Sequence, residues 1–159
     1  MGTLLGRVIA LVSEAFANDT DKGGRPYVLH CFAVMENARH MGVADDVYLA
    51  AAFAHDLKED KPMWFAKLQD IAMEYGTPVL LDYVDSLTFR PHLETYQEFI
   101  QRIIDTKDIK LIKIKKGDIK HNSSLTRLKG VTNNDINRMK KYQISFLELD
   151  AALKLLEND

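Results

Sequence analysis

Apolar residues recur at three- and four-residue spacing along most of this chain, and no segment alternates at period two. Residues 2–17 carry Leu4, Leu5, Val8, Leu11, Val12 and Ala15 on one helical stripe. The run NDTDKGGR, residues 18–25, is a polar glycine loop. Pro26 suits the first position of a helix reaching to about Met41 and closed by Gly42. Asp45 or Asp46 opens the next, whose Val47 to Phe53 stretch is apolar at nearly every position, so it is expected to be buried on most of its circumference. Pro62 starts a helix to about Tyr75, ended by Gly76, and Thr77-Pro78 reads as an N-cap followed by a first-turn proline, to about Phe89. Pro91 starts another, to about Asp105. Residues 107–121 and 133–157 complete the set. The pattern predicts an all-α fold of seven to eight helices around one core, a single domain over 1–159.

Composition narrows the class. A chain of 159 residues fits one domain that buries roughly 68–70% of its unfolded surface. A net charge of −2 gives no reason to expect nucleic-acid binding. The single cysteine, Cys31, has no internal disulfide partner, which suits a reducing compartment. No signal-like segment opens the chain and no apolar run approaches the ~18 residues of a membrane span. The expected location is cytoplasmic, with no membrane partner. The long C-terminal helix carries Ile144, Leu147, Ala151 and Leu155 as a stripe for the core or for a second copy, so both a monomer and a homodimer are open.

The apolar stretch LAAAFAHDLKED ends on His55-Asp56. A carboxylate and an imidazole on a buried segment are costly unless paired, and a metal ion is a common partner. His30 shares a stripe with Tyr27, Cys31 and Val34, and Asp118 shares a face with Leu111 and Ile114, so both point inward. Alone, such a histidine is ordinarily a hydrogen-bonded core residue and such an aspartate a cap or ion-pair partner. Together with His55 and Asp56 they make a nitrogen and oxygen set suited to manganese, iron or zinc rather than calcium. A helix continuing past His55 would bring Glu59 and Asp60 one turn on, where carboxylates can orient and deprotonate a water (a solvated turn between Lys58 and Lys61 is the plainer reading). In a lysine-rich stretch that is mostly a wet helix face, Lys115, Lys116 and Lys120 lie close to Asp118, and one or two of them, Lys115 first, are candidate phosphate contacts. Asn122 lies one turn beyond Asp118, and Lys22 and Arg25 are further anion contacts.

The order His30, His55-Asp56, Asp118 resembles the HD superfamily of metal-dependent phosphohydrolases. Within it, GGRPYVLH (Gly23–His30), HDLKED (His55–Asp60) and IKKGDIKHN (Ile114–Asn122) resemble the alarmone-hydrolase branch of the RelA/SpoT family, as does VDSLTF (Val84–Phe89). The likeness spans roughly residues 10–130. It implies an HD-type helical bundle with His30, His55, Asp56 and Asp118 as Mn²⁺ ligands. It implies that Glu59 and Asp60 activate the attacking water and that Asn122 contacts the ribose or 3′-phosphate region. The implied reaction removes pyrophosphate from the 3′ position of ppGpp or pppGpp.

Three departures stand out. The family's glycine loop usually brings a basic pair to the base, and this chain has Asp21-Lys22. Lys116-Gly117 replaces the usual Leu-Ala before Asp118, and Ser123-Ser124-Leu125 replaces Met-Arg-Thr after Asn122. The metal set is kept while the base-recognition surface is altered. Two alternatives follow: the same chemistry on another nucleotide or phosphoester, and a catalytically altered binding module.

Overall fold

A computed structural model describes residues 2–159, in which every regular element is helical. The helices are α1 (Leu4–Ala15), α2 (Val28–His40), α3 (Asp46–Phe53), α4 (Leu57–Asp60), α5 (Pro62–Glu74), α6 (Val79–Ser86), α7 (Tyr96–Asp105), α8 (Ile109–Asn122) and α9 (Asn133–Asn158), with a single 3₁₀ turn at Leu125–Arg127. Eight are full helices and α4 is one turn, in line with the seven to eight expected.

The all-apolar segment is the axis of the bundle. Leu49 to Phe53 of α3 are all buried, and α1, α2, α6 and α8 surround them. A helix hydrophobic on every face can only sit in such a position. Around it α1 packs on α5, α2 on α8, and α8 on α9. Contact between α2 and α8 depends on a missing side chain. A Cβ at Gly117 would lie 3.0 Å from Asn37 Cβ, and the Asn37 amide donates to the Gly117 carbonyl at 2.9 Å. This close approach brings His30 and Asp118 together.

Local starts and stops differ from the sequence reading chiefly in three places. The apolar helix does not run through His55; it ends at Phe53, and Ala54 to Asp56 form a turn before α4. α6 begins at Val79, and Thr77 makes no N-cap bond to it. α7 begins at Tyr96 rather than Pro91, because Thr95 and Glu98 form a reciprocal capping box that satisfies its first amides. Of the two places open to the stripe Ile144, Leu147, Ala151 and Leu155, the core is taken instead by Ser145, Leu149 and Leu153 of α9, and the stripe faces outward. No described helix is long and apolar enough to cross a membrane.

Candidate metal centre

Three elements deliver four side chains to one point. Helix α2 supplies His30, the turn between α3 and α4 supplies His55 and Asp56, and α8 supplies Asp118. His30 Nε2 lies 3.2 Å from His55 Nε2, 3.2 Å from Asp118 Oδ1 and 3.6 Å from Asp56 Oδ2. His55 Nε2 lies 2.9 Å from Asp56 Oδ2 and 3.5 Å from Asp118 Oδ1. Metal–ligand bonds of about 2.1 Å separate neighbouring donors by roughly 3.0 Å at right angles and 3.4 Å at the tetrahedral angle, so the mutual spacings of His30, His55 and Asp118 fit one divalent ion, while Asp56 reaches both imidazoles from outside that group. His30, His55 and Asp118 form a buried group with donor atoms all within 4.8 Å of one another. The donor set and spacing therefore make a possible metal site.

The break after α3 is what turns the doublet inward. Leu57 N bonds back to Ala54 O at 2.9 Å, and His55 Nδ1 lies 2.8 Å from the Ala52 carbonyl oxygen, leaving Nε2 to face the cluster. Asp60 N bonds to Asp56 O, so Asp60 stays one turn from Asp56 despite the break. Glu59 and Asp60 sit on the exposed side of α4. Partial burial, then the negative charge of Asp56, raises the pKa of both.

Charge in the cluster is balanced internally. Burial favours neutral His55, but Asp56 and Asp118 outweigh it and raise its pKa well above the ordinary 6.5. His30 is raised also, its burial outweighed by bonds to Asp118 and Asp56. Burial opposes the charge on Asp118, yet Lys115 and His55 hold its carboxyl well below the usual range. Asp56 is lowered too, against burial, by His55 and His30.

Other expected residues fall into three groups. Lys22 and Asn122 line a cavity of about 210 Å³ that reaches His30, with Tyr27, Arg127, Arg138 and Tyr142 on its other walls. Asn122 Nδ2 also donates to Asp118 Oδ1 at 2.8 Å. Arg25 is exposed on the glycine loop. Lys115 is placed otherwise than expected: it is 7% exposed, and its ammonium bonds Asp118 Oδ2 at 2.7 Å beneath the Tyr96 and Phe99 rings. It neutralises a candidate ligand instead of lining the cavity.

Four further residues take part, none of them assigned a role by the sequence reading. Tyr27 donates to Asp56 Oδ2. His121 Nδ1 lies 2.7 Å from His30 Nδ1. Arg127 bonds Asp21 Oδ2 at 2.9 Å and the His121 carbonyl at 3.2 Å, and Arg138 lines the cavity beyond it. Asp21 therefore does not stand as a bare negative charge: its other oxygen caps Gly23 N and Arg25 N at 2.8 and 2.9 Å. Gly23 is required for this pairing, since a Cβ there would lie 2.1 Å from the Arg127 carbonyl oxygen. Of these, Tyr27 was legible from its place on the His30 stripe, and His121, beside Asn122, was open between the pocket wall and solvent.

No family model matches the chain. A curated protein of Synechocystis, "Probable guanosine-3′,5′-bis(diphosphate) 3′-pyrophosphohydrolase", is 30% identical over 124 residues. That match takes in 75% of this chain and 16% of the other, so the chain spans about a sixth of that relative's length. A solved structure of a metazoan ortholog of SpoT that hydrolyses ppGpp superposes with a TM-score of 0.72, covering 98% of this chain and 94% of that one at 18% identity. The protein thus shares the all-helical fold of that SpoT ortholog, and its sequence is similar to a segment of a pyrophosphohydrolase whose name carries the same nucleotide.

Proposed function

We propose that this chain is a metal-dependent phosphohydrolase that removes pyrophosphate from the 3′ position of ppGpp or pppGpp, leaving GDP or GTP. The observation that carries the reading is the buried group of His30, His55 and Asp118, whose donor atoms all lie within 4.8 Å of one another, with Asp56 Oδ2 within 3.6 Å of both imidazoles and a cavity with cationic walls beside them. The similarity to a 3′-pyrophosphohydrolase and to a ppGpp-hydrolysing SpoT ortholog supports the substrate class.

In this reading the four side chains hold one divalent ion, Mn²⁺ by family resemblance. Bound there, it supplies positive charge that lowers the pKa of a water and offsets charge on the phosphoryl group. Glu59 and Asp60 take the proton of the attacking water, a role helped by carboxyl pKa values raised towards neutrality. The water oxygen joins the phosphorus on the ribose 3′ oxygen, that P–O bond breaks, and the 3′ oxygen leaves as a hydroxyl by taking the proton that the acidic pair removed from the water. Lys22 and Arg25 attract the anionic substrate, and Asn122 orients the ribose side while bracing Asp118.

A second reading keeps the chemistry and changes the substrate to another nucleotide or phosphoester. The Asp21–Arg127 pair favours it, because the glycine loop presents a neutralised ion pair where the family usually presents two cations. Purified protein with Mn²⁺, tested against ppGpp and a nucleotide panel with product identification, separates the readings. Pyrophosphate and GDP support the first; orthophosphate release or ring opening from another nucleotide supports the second. No cleavage together with no stoichiometric metal leaves a binding module.

A further inference from the structure

His30 and His55 approach the cluster through the same ring atom, each Nε2 facing the other and Asp118 Oδ1. A neutral imidazole offers a lone pair at Nε2 only when its proton sits on Nδ1. For His55 the chain itself enforces this, because Nδ1 lies against the Ala52 carbonyl and a carbonyl only accepts. His30 has no carbonyl in that place. Its Nδ1 lies 2.7 Å from Nδ1 of His121, a separation at which the two ring nitrogens share one proton, and the rings are 4.9 Å apart at 36°. Either ring is able to donate, so which one does decides whether Nε2 of His30 is free.

We propose that His121 is the positioning residue of His30: it accepts the Nδ1 proton and so keeps Nε2 free for a cation, an inference that rests on the metal reading above. His121 then carries its own proton on Nε2. Asp118, His121 and Asn122 stand at spacings of three and four on α8 and share one face. A single helical turn therefore supplies one donor atom, the acceptor that sets a second donor's tautomer, and the amide that braces the first. Metal-bound histidines commonly fix their free nitrogen on a carboxylate, carbonyl or water. Here a second imidazole takes that place.

Two measurements test it. Mn²⁺ affinity is compared by calorimetry in wild type, His121→Phe and His121→Asn. Phe keeps a ring without an acceptor, and affinity is expected to fall about 10–100-fold, the range for losing such an outer partner. Asn puts an amide oxygen near the Nδ1 position and restores most of the affinity. The metal-free unfolding midpoint of each variant separates this effect from loss of fold. Independently of any variant, histidine ¹⁵N spectra of Zn²⁺-loaded wild type are expected to show the His30 proton on Nδ1, with scalar coupling across the bond to His121 Nδ1. Equal Mn²⁺ affinity in wild type and His121→Phe, or absence of that coupling, overturns the role of His121. A wild type that takes up no cation overturns the metal centre itself, so the two failures are distinguishable.

Discussion

Asp118 Oδ2 accepts from the Lys115 ammonium, while Oδ1 accepts from Asn122 and faces both imidazoles. This carboxylate and its lysine are both under 8% exposed, so removing either partner strands a buried charge. Lys115→Met is expected to destabilise the metal-free protein by about 3–5 kcal/mol in urea unfolding, the scale for breaking a buried pair. The loss shrinks with saturating Mn²⁺ if a cation takes over the neutralising role, and an equal loss with and without metal would deny Asp118 that role. Glu59 is different in kind, because it is exposed and braces nothing in the cluster. Glu59→Gln is expected to bind Mn²⁺ as wild type does and to lose about 10²–10⁴-fold in turnover, the usual contribution of a general base. Unchanged turnover would remove Glu59 from proton transfer.

At the level of elements, legibility followed how local the cause was. α5 and α9 carry their boundaries in neighbouring residues, Pro62 with Gly76 and Thr132 with Asp135, and both lie close to their expected positions. The break after Phe53 had no such marker: LAAAFAH contains neither glycine nor proline, and the turn is made by backbone bonds that only the packed bundle favours. Pro91, the expected start, stands only four residues before Thr95, the observed N-cap of α7. Thr95 prevailed because its box with Glu98 satisfies two amides, whereas proline only removes one. The partnership of His30 with His121 was out of reach for a similar reason, since it depends on how α2 lies across α8. Gly117 fixes that approach, and Gly117→Val is expected to wedge the helices apart. Overpacking of this size costs about 1–3 kcal/mol, and Mn²⁺ affinity should fall with it because His30 and Asp118 separate. Crystallography of the variant would show the Asn37–Gly117 contact lengthened; lost stability with unchanged metal affinity would uncouple the helix spacing from the site.

For the molecule as a whole, the cluster links folding to both protons and metal. Without metal, the histidines have raised pKa values, so their contribution is complete below the ordinary 6.5 and fades as pH climbs through the folded values. The carboxylates are lowered, so theirs is complete above 3.8 and fades as pH drops through the folded values. A divalent ion needs the imidazoles neutral, so it competes with the same protons and binds more tightly as they leave. Ligand binding to the folded state adds stability as RT ln(1 + [L]/Kd), about 2.7 kcal/mol at a hundredfold excess over Kd. The Tm difference between Mn²⁺-saturated and chelator-treated protein is therefore expected to widen from pH 6 to pH 8, because the metal-free form loses imidazolium pairing while the loaded form gains affinity. His55→Ala should abolish the difference at every pH. A difference in wild type that stays constant across this range would mean that ion binding displaces no protons from His30 and His55, and that these rings are not its ligands.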